Sequence, residues 1–217
     1  MWSLRGFIRA NSGRVRFVSL AWHTNRGVIC VVCHGFTSRS LCAECRTTLR
    51  PAPDRILDDG LRLIAAFEHE DAARTLVHHL KYRGVSEYAR LVADLLEPRV
   101  PRLPLVPVPR ALSRRLKYGV DPARVIAIAL ARRMGVPVID GLAAPIHAPR
   151  RAGRNHSRSV PPFRTRSLLR SPVIVVDDVV TTGATVSAAV DAIGPDMVRA
   201  IAAANVVPDV SNVAQSD

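Results

Sequence analysis

The segment from Val173 to Thr185, VIVVDDVVTTGAT, combines an apolar run, two adjacent carboxylates and a threonine-rich loop. Its first four residues, Val173 to Val176, are all β-branched, and a run that is apolar throughout predicts a central parallel strand covered on both faces. Asp177 and Asp178 then come at the carboxyl end of this predicted strand. Because adjacent carboxylates repel each other, they indicate a ligand that brings hydroxyl donors or a cation such as Mg²⁺.

The residues that follow the carboxylates have the composition of an anion site. Thr181, Thr182, Gly183, Ala184 and Thr185 precede apolar residues at helical spacing, so they predict a loop that leads into a helix. Threonine hydroxyls, a glycine that lets the backbone come close, and the amides of a helix N-terminus favour a phosphate monoester. Neither GxxxxGK[ST] nor GxGxxG occurs in the chain, so kinase-like and dinucleotide sites lack support.

The four cysteines of the chain form a second chemical cluster. They are arranged as CxxC, eight intervening residues and another CxxC, at Cys30, Cys33, Cys42 and Cys45. Two such pairs bring four thiolates to one tetrahedral point, which predicts a structural zinc site. A disulfide pairing is the alternative interpretation. With four cysteines to complete the shell, we expect His34 to be a bystander.

These two segments together resemble known families. The thirteen residues look like the motif by which type I phosphoribosyltransferases bind phosphoribosyl pyrophosphate (PRPP), and a zinc knuckle ahead of such a domain is similar to the ComF family. Leu80 to Gly84, LKYRG, and Leu105 to Pro109, LVPVP, also resemble segments of that family. The resemblance extends from about Val28 to Val207.

The resemblance implies a role for each candidate residue. Asp177 and Asp178 would hold the ribose 2′- and 3′-hydroxyls of Mg²⁺-bound PRPP and serve as the catalytic residues, and Thr181 to Thr185 would bind the 5-phosphate. Arg110, with its basic neighbours, would contact the pyrophosphate. Lys81 either contacts the ligand or caps the C-terminus of a helix, where a cation is favoured by the helix dipole.

Two functions follow from the resemblance. The first is a phosphoribosyltransferase, a glycosyltransferase of pentosyl groups, that moves the phosphoribosyl group to a nitrogenous base and releases pyrophosphate. The alternative is a non-catalytic protein that binds single-stranded DNA and acts with the competence machinery in DNA uptake. Residues 101–170 hold fifteen basic and two acidic residues, a charge that would attract either polyanion. Aromatic residues make up only 5% of the chain, so bases have few stacking partners.

The pattern of elements predicts an α/β protein of the type I phosphoribosyltransferase fold, a parallel sheet flanked by helices, behind a small zinc knuckle. We expect a basic tail at 1–26, the knuckle at 27–53, the main domain at 54–208 and a short tail at 209–217. A mobile loop is predicted over 144–172. No run of about eighteen apolar residues or secretory signal occurs, which predicts a cytoplasmic protein without a membrane span. The predicted strands are 61–67, 105–108, 137–139, 173–176 and 197–207, and the predicted helices are 71–82, 86–97, 121–134 and one ending near 193.

Overall fold

A computed structural model of the chain describes residues 29–38, 41–83, 86–143 and 163–207. The predicted tails at 1–26 and 209–217 lie outside these residues, as do Gly84 of the LKYRG segment and most of the predicted loop over 144–172.

The described residues alternate between strands and helices along the chain. The strands are β1 (Arg55–Ile56), β2 (Arg62–Glu68), β3 (Leu105–Pro107), β4 (Leu142–Ala143), β5 (Arg164–Thr165), β6 (Val173–Val180) and β7 (Val198–Val206). The helices are α1 (Ala43–Thr47), α2 (Asp71–Arg83), α3 (Ser86–Leu96), α4 (Leu112–Tyr118), α5 (Pro122–Met134) and α6 (Ala184–Ile193), and a short 3₁₀ turn precedes β7.

Five of these strands form the main sheet, in the order β1-β2-β7-β6-β3. Strands β2, β7, β6 and β3 run parallel, whereas β1 pairs with β2 in the antiparallel sense. The two central strands, β7 and β6, are buried over nearly their whole length, as their apolar sequences predict. The prediction of an α/β protein with a mostly parallel sheet is therefore confirmed.

Helices cover both faces of the sheet and bury its side chains. One face packs against α2, α3 and α5, and the other packs against α6 and the small β4-β5 sheet. The helix α5 begins and ends at residues that favour helix termini. Asp121 caps its first turn, Pro122 occupies the first helical position, and Gly135 ends it in the left-handed conformation with φ 67°.

The sequence misplaced several elements. β6 continues past Val176 to Val180, because Val179 and Val180 pair with Asn205 and Val206 of β7. The predicted strand 137–139 is reduced to one parallel bridge between Val138 and Leu105 of β3, with backbone hydrogen bonds from Leu105 to Pro137 O and from Ile139 to Leu105 O. Within the predicted loop over 144–172, β5 forms a strand against β4. The helix α4 was not predicted.

None of the helices within the described ranges has the length and apolar character needed to cross a membrane.

Candidate functional site

The four cysteines converge on one point, as the spacing predicts. Their sulfur atoms all lie within 4.8 Å of one another, and the Sγ atoms of Cys33 and Cys42 are 3.8 Å apart. Four thiolates at about 2.3 Å from a tetrahedral zinc ion lie about 3.8 Å from each other. The cluster is thus compatible with a structural zinc site. None of the four cysteines forms a disulfide, which was the alternative interpretation. His34 does not belong to it.

Backbone geometry holds these thiols in place. The first pair lies on a turn in which the Cys30 N–H donates to Gly35 O at 2.8 Å and the His34 N–H donates to Cys30 O at 3.0 Å. The second pair lies at the start of α1, where the Cys45 N–H donates to Cys42 Sγ at 3.3 Å. The turn and the start of α1 thus bring the two pairs of sulfur atoms to one point.

The two buried cysteines differ in the pKa of their thiols. Burial alone would raise the pKa of Cys30, but N–H donors from Cys42, Cys33 and Val32 lower it to about 6. Burial raises the pKa of Cys45 above its usual range, and its three neighbouring thiols raise it further. A bound cation would offset both the burial and the crowding of negative charge.

The cysteine knuckle, residues 29–38 and 41–53, packs directly on the main domain. Its apolar side chains lie against the core cluster formed with α2, α3 and α5, namely Val31, Val32, Leu41 and Leu49. Ala52 donates its N–H to Ala66 O of β2, and Glu68 of β2 donates its N–H to Arg50 O. A cavity of about 170 Å³ lies between the knuckle and the helices α2 and α3.

The second candidate site lies at the carboxyl edge of the parallel sheet, where ligands bind in open α/β sheets. Asp177 is buried on β6, opposite Ala203 of β7, and its Oδ1 accepts the Asp178 N–H at 2.7 Å. Burial raises the pKa of Asp177 well above its ordinary value, and the charge and side chain of Asp178 raise it further. The two carboxylates therefore interact directly, and they lie inside β6, three and two residues before its last residue, rather than after its end.

Lys81 supplies a cation to this pair. Its Nζ lies 3.0 Å from Oδ2 of Asp178, and both side chains are largely withdrawn from solvent. The charge of Lys81 also lowers the pKa of Asp177, against the larger effect of burial. Lys81 lies in the last turn of α2, where the helix dipole favours a cation, and its side chain also reaches the carboxylates.

The threonine loop joins β6 to α6 beside these carboxylates. Thr181, Thr182, Ala184 and Thr185 are exposed, whereas Gly183 is buried with φ 79° immediately before the helix. No side chain caps the N-terminus of α6, and no acidic residue lies in its first turn. The first amides of the helix are consequently available to an anion, and the positive end of the helix dipole favours one.

Arg110 lies at the same edge, after β3, where it holds backbone in place. Its Nη1 donates to the carbonyl of Lys81 at 3.1 Å and to that of Val120 at 3.3 Å. Its guanidinium carbon lies 4.9 Å from the centre of the Tyr118 ring, and the backbone N–H of Arg110 donates to Asp121 Oδ2 at 3.3 Å. Arg110 therefore helps to hold the backbone of Lys81 in place. The sequence did not predict this role.

Sequence reasoning missed three polar residues near this edge. His69 follows β2, Asn205 lies in β7 and Tyr88 lies in α3, and their side chains form one chain of hydrogen bonds. The signal was present in Asn205, an amide inside an otherwise apolar strand, because a buried amide requires partners. His69 and Tyr88 carry no comparable signal.

The carboxyl edge thus brings together two adjacent carboxylates, a lysine and an open helix N-terminus, a set suited to a ligand with both hydroxyl and phosphate groups. Comparison of the chain with protein-family models gives no match, and comparison with curated proteins gives none either.

Proposed function

We propose that this chain is a ComF-like protein of the type I phosphoribosyltransferase fold, which binds Mg²⁺-PRPP at the carboxyl edge of its sheet. It transfers the phosphoribosyl group to a nitrogenous base and releases pyrophosphate. One observation carries the proposal: Asp177 and Asp178 lie near the end of a central parallel strand, and the loop after that strand ends at the open N-terminus of α6.

Each chemical group of the ligand has a matching group in the protein. The ribose hydroxyls donate to the carboxylates of Asp177 and Asp178. These donors offset both the burial and the repulsion by Asp178 that raise the pKa of Asp177. The 5-phosphate accepts hydrogen bonds from the threonine hydroxyls and the first amides of α6. Gly183 allows this approach because its left-handed backbone turns the loop into the helix.

The transfer breaks the bond between ribose C1 and a pyrophosphate oxygen, and the electron pair leaves with pyrophosphate. The lone pair of the acceptor nitrogen forms the new C1–N bond, and the proton of that nitrogen passes to water or to pyrophosphate. Positive charge develops on the ribose during this step, so fixed carboxylates beside the ribose stabilise the transition state. Lys81 and Arg110, with the basic residues after it, attract the departing pyrophosphate.

A magnesium ion fits this site because carboxylates are ligands it accepts and because it usually arrives bound to phosphate oxygens. Asp177 and Asp178 would hold it with the ribose hydroxyls, where it would neutralise charge on the pyrophosphate. In the knuckle, we propose structural zinc on Cys30, Cys33, Cys42 and Cys45. A cytoplasmic location fits the supply of PRPP.

Calorimetric titration of the full chain with Mg²⁺-PRPP tests the binding site. The double variant Asp177→Ala/Asp178→Ala should lose detectable binding, whereas Asp191→Ala, an exposed aspartate farther along α6, should bind as the wild type does. Pyrophosphate release from PRPP, measured across a panel of bases, tests the transfer. Release with at least one base in the wild type and none in the double variant is the expected result.

The exposed helix α4 favours a second candidate function, binding of single-stranded DNA. None of its residues is buried, and Arg114, Arg115 and Lys117 are exposed along it. Phosphate contacts from such residues make affinity depend steeply on salt. If this function is the correct one, Arg114→Glu/Arg115→Glu will abolish salt-dependent DNA binding, and Asp177→Ala/Asp178→Ala will preserve it. If pyrophosphate is also released with none of the bases, the proposed transferase activity is refuted.

A further inference from the structure

His69 lies at the carboxyl edge of the sheet, yet the proposed function assigns it no role. It directly follows β2, and the charges of Lys81, Arg74 and Asp178 all act on its side chain. The side chain is partly buried. His69 therefore shares the environment of the carboxylate pair without belonging to the motif that contains it.

The backbone of His69 is held on both sides. Its N–H donates to Val206 O at 2.8 Å, and its carbonyl accepts a hydrogen bond from Arg74 Nη2 at 3.3 Å. A tight turn follows, in which the Glu70 N–H donates to Glu68 O at 2.9 Å, and Asp71 then takes a positive φ of 40°. A non-glycine residue in that region indicates a constrained backbone. The ring of His69 thus starts from a fixed position.

The hydrogen bonds of the ring determine which nitrogen carries the proton. Asn205 and Tyr88 are buried, and the Tyr88 hydroxyl donates to Asn205 Oδ1, because a carbonyl oxygen can only accept. The other end of the amide, Nδ2, lies 3.1 Å from His69 Nδ1. An amide nitrogen can only donate, so Nδ1 must be the unprotonated nitrogen. A neutral His69 then has its proton on Nε2.

The opposite side of the ring faces away from Asn205. Within the described ranges, no hydrogen bond reaches His69 Nε2, and no buried side-chain nitrogen or oxygen lacks a partner. The Nε2–H consequently reaches solvent at the carboxyl edge. Burial lowers the pKa of His69, as do the charges of Lys81 and Arg74, and the opposing effect of Asp178 is smaller. The lowered pKa and the hydrogen bond at Nδ1 both favour the neutral ring.

We propose that Asn205 and Tyr88 hold His69 as a neutral Nε2–H donor and that this N–H binds a phosphate oxygen of the ligand at the carboxyl edge. The identity of the ligand, PRPP, rests on the proposed function. His69 is then a ligand-binding residue, and Asn205 is a positioning residue that acts through it. Such a donor, fixed before the ligand arrives, binds without the loss of side-chain freedom that an unheld histidine would suffer.

Nitrogen NMR of the full chain with labelled histidine tests the tautomer without any ligand. At pH 7.5 the wild type should give His69 as the Nε2–H form. Asn205→Asp keeps the size of the side chain but turns its donor into an acceptor for Nδ1–H, so it should raise the pKa of His69 above 6.5 and produce imidazolium. An Nδ1–H tautomer in the wild type, or an unchanged pKa in Asn205→Asp, overturns the positioning role.

Titration with Mg²⁺-PRPP tests the donor role. His69→Ala should weaken binding about tenfold, the usual effect of losing one hydrogen bond to a charged group, and His69→Gln should restore part of it. His78→Ala, an exposed histidine of α2, is the control and should bind as the wild type does. Wild-type affinity in His69→Ala overturns the donor role and leaves the proposed function standing. If the wild type binds no PRPP, the proposed function fails and the donor role fails with it, whereas the tautomer result is unaffected.

Discussion

Removal of zinc from the cysteine knuckle should destabilise the main domain as well as the knuckle. The two are packed together, since Val31, Val32, Leu41 and Leu49 contact the core cluster of α2, α3 and α5. A small knuckle has no core of its own, and structural zinc sites supply their folding energy directly. We therefore expect the knuckle to unfold when the metal is lost and to expose those four side chains.

The magnitude follows from the burial of these side chains. Full burial of a Val or Leu side chain stabilises by about 1.5–3 kcal/mol, so each of the four, being partly buried, contributes about 1 kcal/mol. Their exposure should lower the free energy of unfolding by about 4 kcal/mol. For a chain of 217 residues this corresponds to a fall in Tm of about 8–16 °C.

Thermal unfolding, followed by circular dichroism before and after treatment with a strong chelator, measures this effect. Metal analysis should first find about one zinc ion per chain, and zinc added back should restore Tm. Cys45→Ser should reproduce the chelated state, whereas His34→Gly should keep its zinc, because His34 lies outside the cluster and has a φ of 60° that glycine adopts freely. A Tm that stays the same after the metal is removed would refute the coupling.

Three further predictions concern the carboxyl edge of the sheet. Lys81→Met should raise the pKa of His69, because the charge of Lys81 lowers that pKa in the wild type. NMR titration of the histidines measures the change, and the control is Lys117→Met, which replaces the other lysine of the chain. Asp177→Asn should stabilise the protein at neutral pH while weakening PRPP binding, as urea unfolding at several pH values and calorimetry will show. Because the folded pKa of Asp177 is raised, its contribution to stability is fully present below the unfolded pKa of 3.8 and is lost as pH rises through the folded pKa. Asparagine does not ionise, so the variant keeps its stability over this pH range. Gly183→Ala should lower the free energy of unfolding by about 1 kcal/mol, the effect of a left-handed residue with a Cβ, and should also weaken PRPP binding.

Each of these predictions has a clear contrary result. An equal shift of the His69 pKa in the two lysine variants would contradict the first. A stability difference between wild type and Asp177→Asn that does not grow with pH would contradict the second. For the third, Gly135→Ala is matched in strain, with φ 67° and open space around its missing Cβ, so equal loss of PRPP affinity in both glycine variants would remove Gly183 from the site.

The sequence predicted those parts of the fold in which local pattern and burial agree. The apolar runs of β6 and β7 and the helix α5 were predicted because their local sequence pattern and their burial in the folded chain favour the same structure. The end of β6 was misplaced because Asp177 and Asp178 resemble a strand end. Pairing of Val179 and Val180 with β7 outweighs that local preference.

Of the candidate site, the sequence predicted the residues that form continuous motifs. The four cysteines and the residues of the threonine loop were identified because spacing alone brings them together. The hydrogen bonds of His69 and Arg110 were missed, because their partners lie more than a hundred residues away for His69 and include backbone carbonyls for Arg110. A carbonyl oxygen has no sequence signature, so such contacts require coordinates.

The contacts of Arg110 have a consequence for how the two candidate ligands would affect each other. One guanidinium joins the carbonyl of Lys81, the carbonyl of Val120 and the ring of Tyr118, the last residue of the exposed helix α4. A polyanion that displaces α4 would therefore disturb a guanidinium that also holds the carbonyl of Lys81. By thermodynamic reciprocity, the factor by which such a polyanion changes the affinity for PRPP equals the factor by which PRPP changes the affinity for the polyanion.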